Sequence, residues 1–207
     1  RADVDEAAQR VADVLDEASL IAARERLERV DVLVNAAGGN VAAATVGERS
    51  FFDLPVEALN DVLSLNVMGT LLPTRVFARA MTEGGSVVNV SSMAAARALT
   101  RVVGDGAAKA AVENRTRWRA GERAPEVRGN AIAPGFFLGE QNRALLLDPD
   151  GALTERGRQI VAATPFGRFG EPDEVVGAVV WLAGAAASFV TGTVVPVDGG
   201  FGAFSGV

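Results

Sequence analysis

Cysteine, histidine and tyrosine are all absent from the 207 residues of this chain. Without cysteine there is no disulfide and no thiolate chemistry, which fits a reducing, cytoplasmic setting. Without histidine the commonest general base and metal ligand is missing, and no metal site is expected. Without tyrosine there is no phenol to act as an acid. Lysine occurs once, at position 109, and every other basic side chain is arginine. Arginine holds its proton in proteins, whereas lysine is a compact charge whose pKa can be tuned. Position 109 is therefore a candidate for chemistry. No apolar run is long enough to span a membrane, and no signal-peptide pattern is present. A formal net charge of -6 argues against nucleic acid or an anionic membrane as partner.

What is present reads as an α/β chain. Hydrophobic residues make up 49%, enough for one domain with a sizeable core, and many of the 23 glycines end apolar runs. Strands are expected at Asp31–Asn35, Gly85–Val90, Val127–Ile132 and Thr193–Val197. Helices are expected from the Asp16 cap to about Arg29, over Val56–Met81, over Asp105–Arg123, near 153–163, and from Glu171-Pro172 onward. The stretch 40–54 reads as a loop, and Val11-Ala12 as a possible strand end. Gly69 and Pro73 should bend the Val56–Met81 helix, with Asn66 just before the defect. Val175, Val176, Val179, Val180 and Leu182 form an apolar stripe read as core. Alternating strands and helices give a mostly parallel, doubly wound sheet, in which ligands sit beyond the carboxyl ends of the strands. Asn35-Ala-Ala-Gly38, Ser91-Ser92 and Pro134-Gly135 all fall at such ends. Residues 136–168 form a long excursion of the kind that covers a substrate.

These residues resemble the short-chain dehydrogenase/reductase family over nearly the whole chain. Asn35-Ala-Ala-Gly38 resembles the turn after the family's fourth strand, and Leu65-Asn66-Val67 its helix asparagine. Ser92 stands at the family's spacing before a Tyr-x-x-x-Lys motif that ends at Lys109, and Ala133-Pro134-Gly135 matches its Pro-Gly turn. The resemblance implies a Rossmann-like fold and an NAD cofactor, with NADP also compatible. It implies catalytic roles for Asn66, Ser92, position 105 and Lys109. Cofactor contacts are implied at Asp13, Val14, Asn35, Ala36, Ala37, Gly38, Lys109, Pro134, Gly135 and Phe136. The near copy Asp3-Val4 leaves the Asp13-Val14 alignment ambiguous. The loops 133–143, 164–172 and 198–207 are similar to the D-mannonate oxidoreductase (fructuronate reductase) branch. That implies a keto or hydroxy sugar acid as substrate, with Arg97, Phe137, Gln141, Asn142 and Arg143 as candidate contacts. The family habit implies a homo-tetramer or dimer, with the 104–123 helix and the last strand as interfaces.

Two departures from the family stand out. The opening strand, its Gly-x-x-x-Gly-x-Gly turn and the second strand have no counterpart, so residues 1–207 read as an N-terminally truncated, incomplete domain whose Val32–Val34 strand has an exposed edge. The tyrosine position is Asp105. A carboxyl has a reference pKa of about 3.9 against about 10 for a phenol. Beside Lys109 it should stay ionised, and an anion there opposes a developing alkoxide. Little activity is therefore expected. Arg119, Gly121 and Gly129 also depart from family habit, at positions expected to be buried. Each change fits a single T-to-G codon substitution, as in error or decay. Plainer readings also exist: an i,i+4 surface ion pair for Asp105 and Lys109, a strand end for Ser91-Ser92, and caps for Asn66 at the helix bend.

Overall fold

The computed structural model describes residues 11–47, 49–123 and 126–204, and only the backbone of Arg123, Glu140 and Gln141. The Asp3-Val4 copy lies outside these residues. Four strands form one parallel sheet in sequential order: β1 (Val32–Asn35), β2 (Gly85–Val90), β3 (Val127–Pro134) and β4 (Val194–Val197). Their β-branched residues suit a sheet covered on both faces. β1 lies at an edge of the sheet among the described residues, and Val32 and Val34 are exposed there. No helix of the described residues is long and apolar enough to cross a membrane.

Alternation along β2 assigns its two faces. Val87 packs with Val30, Ala80, Met81 and Val127 on one side. Val88 packs with Ile132 and Leu182 on the other. Helices α1 (Glu17–Arg24), α2 (Val56–Leu63), α3 (Gly69–Phe77) and α4 (Val103–Arg123) belong to the first side, and α7 (Val176–Ala183) to the second. Asp16 caps α1 through its carboxylate, which accepts from Ala18 N at 2.9 Å, and the helix ends at Arg24, short of Arg29. Val11–Asp13 is not strand.

The long second helix is interrupted differently from expectation. A π-turn spans Ser64–Met68, so Asn66 lies inside the defect, while Pro73 sits buried within α3. The extra residue in the turn loosens the i→i−4 ladder upstream of the proline. The 40–54 stretch contains 3-10 turns at Ala42–Ala44 and Phe51–Asp53. The excursion carries two helices, α5 (Glu140–Leu146) and α6 (Glu155–Ala163), where one was expected. The expected core stripe of the α7 region divides. Leu182 is fully buried, but Val176 is exposed and Val180 is 63% exposed. Five apolar residues within about two turns surround the helix, and only one side meets the sheet.

Candidate functional site

Three strand ends and two helices converge at the carboxyl edge of the sheet. The segment after β1 brings Gly38 and Gly39 against Asn66. Asn66 is 1% exposed. Its amide donates to Gly39 O and to Val62 O, each at 2.8 Å, and its Oδ1 accepts from Gly39 N at 3.1 Å. The bond to Val62 O reaches back one turn into α2, not forward to the Gly69/Pro73 bend where the capping reading put it, while the other two clamp the β1 loop. A Cβ built on Gly38 would stand 2.5 Å from Asn66 Oδ1 and 3.2 Å from Lys109 Nζ. Glycine at 38 is thus what lets three segments meet.

Lys109 is buried, and its ammonium donates to Val90 O at 3.0 Å, beside the end of β2. An ammonium carries three N–H donors, so two remain for a ligand. Among the described residues no ion pair joins Lys109 to Asp105, and the surface-pair reading does not hold. Burial lowers the Lys109 pKa below the usual lysine value, and the Asp105 charge restores only part of it. The balance at Asp105 differs from the expected one, in which the Lys109 charge dominates. Burial pushes its carboxyl above the ordinary aspartate value, and the attraction of Lys109 offsets only part of that. Desolvation outweighs the neighbouring charge for both groups.

The two serines have different tasks. Ser91 is buried and donates to Glu113 Oε1 at 3.0 Å, while Glu113 also pairs with Arg117 at 3.1 Å. Ser92 caps the short 3-10 turn Met93–Ala95, its Oγ accepting from Ala94 N at 3.1 Å. That leaves the Ser92 hydroxyl proton for a ligand oxygen. Sequence reasoning missed Glu113. Its only signal was an acid one helical turn beyond Lys109, on the face that turns inward.

Asn35 anchors the constellation from below. Its amide donates to Thr74 Oγ1 at 2.9 Å and to Asn89 Oδ1 at 2.8 Å, and Asn89 donates in turn to Thr116 Oγ1 at 2.8 Å. This buried chain ties α3, β1, β2 and α4 together, and every bond in it has a partner. Asn89 was not singled out from the sequence. Ala36, Ala37 and Gly38 follow directly from the anchored Asn35.

At β3 the Pro134-Gly135 turn presses on the segment after β4. A Cβ on Gly135 would meet Asp198 Cα at 2.7 Å, so only glycine fits. Phe136 stacks edge-on with Phe201 at 5.3 Å between centroids, and Gly170 N donates to Phe136 O at 2.9 Å. The three loops read as substrate loops are therefore brought together. Phe137, Thr164, Phe166, Gly170 and Asp198 line a cavity of about 180 Å³ between them. The polar candidates are partly committed to backbone. Arg97 donates to Gly202 O at 2.6 Å, and Asn142 receives Gly139 N at 2.9 Å and donates to Phe137 O at 2.7 Å. Arg143 is exposed on α5, and the Gln141 side chain lies outside the described residues. Asp13 is exposed in a turn before α1, and Val14 packs at Gly69. Among the described residues no cluster of three acids is placed to hold a metal.

The residues fit the nicotinamide and ribose end of a dinucleotide. The cradle at Gly38, the remaining donors of Lys109 and the close Gly135 turn make that fit. The sequence carries no Gly-x-x-x-Gly-x-Gly run to receive a pyrophosphate.

Comparison with known proteins agrees with this geometry. Residues 2–202 match the sequence model described as enoyl-(acyl carrier protein) reductase. The uncharacterized oxidoreductase UxuB of Bacillus subtilis is 44% identical over 213 residues, covering 95% of this chain and 77% of that protein. A Haemophilus protein with the provisional name D-mannonate oxidoreductase, solved with bound NAD, superposes with a TM-score of 0.88. It is 41% identical, and the match covers 95% of this chain and 77% of that one. A gluconate 5-dehydrogenase of Burkholderia cenocepacia, solved with NADP and tartrate, gives a TM-score of 0.81 at 30% identity, over 91% of this chain and 72% of that one. With Asn66, Ser92 and Lys109 assembled at the carboxyl ends of a parallel sheet, the chain belongs to the short-chain dehydrogenase/reductase family of NAD(P)-dependent oxidoreductases.

Proposed function

We propose that this chain descends from reductases of keto sugar acids, interconverting D-fructuronate and D-mannonate with NAD(H), and that Asp105 leaves this copy a poor catalyst. The observation that carries the reading is the assembled site with a carboxyl in the place of a phenol. The sugar-acid assignment is supported by the loops that converge around Phe137, and by the names of the Haemophilus and Burkholderia relatives. NAD is favoured by the first of these and NADP stays compatible through the second.

In this reading bound NADH supplies the hydride that reaches the carbonyl carbon. Lys109 holds the ribose hydroxyls with its two remaining donors. Ser92 gives its free proton as a hydrogen bond to the carbonyl oxygen. Asn66 fixes the β1 loop, so that Gly38 leaves room at Lys109. Position 105 must deliver a proton to the same oxygen. An ionised carboxylate cannot donate, and its charge opposes the alkoxide. It is also shorter than tyrosine, so its reach falls short of the same oxygen. A second reading, a catalytically inactive subunit or binding module, is favoured by this one residue.

The test is NADH oxidation at 340 nm with D-fructuronate, in the natural chain and in Asp105→Tyr, after NADH binding has been measured for both by titration. The lineage reading predicts turnover that rises by about two orders of magnitude or more in the variant, the usual value of a positioned acid. Background rates in an Asp105→Tyr chain that binds NADH would remove the sugar-acid assignment. Rapid turnover by the natural chain would remove the claim about Asp105.

A further inference from the structure

Ser92 and Asp105 are the two ends of a loop, and three other parts of the molecule hold that loop in place. Arg97 fastens it to the tail by donating to Gly202 O at 2.6 Å. Val46 N donates to Arg101 O at 2.9 Å. From the excursion, Arg156 on α6 reaches across and donates through Nη1 to Thr100 Oγ1 at 3.3 Å. The helix that would cover a substrate thus meets the loop at the residue before Arg101, four positions short of Asp105.

Two features here are unfavourable in the chain by itself. Arg101 has a φ of 79°, and among the described residues it is the one non-glycine with positive φ. A side chain in that region costs free energy that glycine would not, and such strain gathers where ligands are held. Arg156 Nε is buried and has no hydrogen-bond partner among the described residues. Burial holds the Arg156 guanidinium below the ordinary arginine pKa, and the charge of Arg101 lowers it further, which marks the two cations as neighbours. Neither guanidinium has an ion pair among the described residues.

Two neighbouring cations repel unless an anion lies between them. Guanidinium forks match a carboxylate in bidentate fashion. A keto sugar acid carries its carboxylate at the end opposite its ketone, so a molecule with its carbonyl at Ser92 has an acid end to be placed. We propose that Arg156 and Arg101 together hold the carboxylate of the substrate, an inference that rests on the sugar-acid reading above. Arg97, engaged with Gly202 O, holds the loop rather than the ligand. The acid end then ties α6 to the entrance of α4. The excursion closes on sugar acids and discriminates against neutral polyols of the same length.

The experiment measures binding to the intact chain, with and without NADH, and does not depend on turnover. The probes are D-mannonate, D-mannitol, which has the hydroxyls without the carboxylate, and butyrate, which has the carboxylate without the hydroxyls. Each is titrated by calorimetry and by NMR of the arginine Nε–H groups. Expected is saturable one-to-one binding of D-mannonate, with D-mannitol weaker by about tenfold or more. The Arg156 Nε–H resonance should move with D-mannonate and stay in place with D-mannitol. Arg156→Gln and Arg101→Gly should each weaken D-mannonate binding by about tenfold or more and leave D-mannitol binding unchanged. Arg101→Gly should at the same time raise the thermal midpoint, because glycine accepts that φ without strain. A gain in stability joined to a loss of acid binding is not what a purely structural arginine would give. The proposal is overturned if D-mannonate does not bind saturably, if D-mannitol binds as tightly, or if both variants bind D-mannonate as well as the natural chain. Failure of the sugar-acid reading looks different. Butyrate would then bind as tightly as D-mannonate and depend equally on Arg156, which upholds the carboxylate site and removes the sugar.

Discussion

The side chain of Arg119 occupies the space that Gly129 leaves empty. A Cβ built on Gly129 of β3 would lie 3.2 Å from Arg119 Cδ and 3.5 Å from its Cγ. These two departures from family habit are therefore one packing event. The stem of Arg119 lies over a strand position stripped of its side chain, and its charged end reaches a cavity between α3 and α4. Long basic side chains bury their methylenes in this way while the head seeks polar surroundings.

A double-mutant cycle measures that coupling. Gly129→Val alone should destabilise by about 1–3 kcal/mol, because the new methyl groups collide with the Arg119 stem. Arg119→Leu with Gly129→Val should recover most of that loss. The coupling expected from urea unfolding is about 0.5–3 kcal/mol, as for residues in contact. Additive single effects would show that the two positions do not share the space.

Gly121, read from the sequence as a glycine on a buried helix face, is exposed, and a Cβ there would meet nothing within 4 Å. Gly121→Ala should then raise stability by about 0.5–1 kcal/mol, through the lower backbone entropy of the unfolded chain and better helix propensity. Thermal unfolding followed by circular dichroism checks this. A lowered midpoint would mean that position 121 is packed after all.

The strands were legible because each is a short, largely apolar run with glycine, proline or serine close behind its end or within it, and such runs between helical patterns fit a parallel sheet. The site was legible because its members fall at those strand ends. Other features were not legible for identifiable reasons. A proline in a helix suggests the place of a bend, yet here the ladder yields at Ser64–Met68, where Asn66 can satisfy the loosened carbonyl. Val180 and Leu182 look alike in an apolar stripe, and only the partner surface distinguishes them. Asp105 next to Lys109 reads as a stabilised carboxylate on spacing alone, because desolvation depends on what covers the pair. The Asn35–Asn89 bond joins residues 54 apart and has no local pattern.

The Asn66 clamp makes a sharp prediction about its own chemistry. Asn66→Asp keeps an acceptor for Gly39 N but loses both amide donors, leaving Val62 O and Gly39 O without their partner. An orphaned buried acceptor costs about 1–3 kcal/mol. Asn66→Asp should therefore be nearly as destabilised as Asn66→Ala in urea unfolding, and hydrogen exchange should quicken at Gly39 in both. Gly38→Ala should show a similar loss, since its Cβ would enter the same contact. An Asn66→Asp chain of natural stability would show that the acceptor alone holds the loop.

Lys109 is the one lysine in the chain, so isotope labelling of lysine gives a single side-chain resonance to titrate. Its folded pKa lies below the 10.5 of a free lysine, chiefly through burial, and Asp105 raises it in part. The folded state therefore binds fewer protons than the unfolded state between the two values, and this group's contribution to stability improves as pH rises through that window. For Asp105 the sign is opposite. Its folded pKa lies above 3.8, so its contribution is complete below that value and is lost as pH rises through the folded pKa. Asp105→Asn should accordingly be more stable than the natural chain at neutral pH and indistinguishable from it in acid. In the same variant the Lys109 resonance should titrate at a still lower pH, because the charge that raised it is gone. A Lys109 pKa that rises in Asp105→Asn would mean that the carboxyl is neutral, or is turned away from the ammonium.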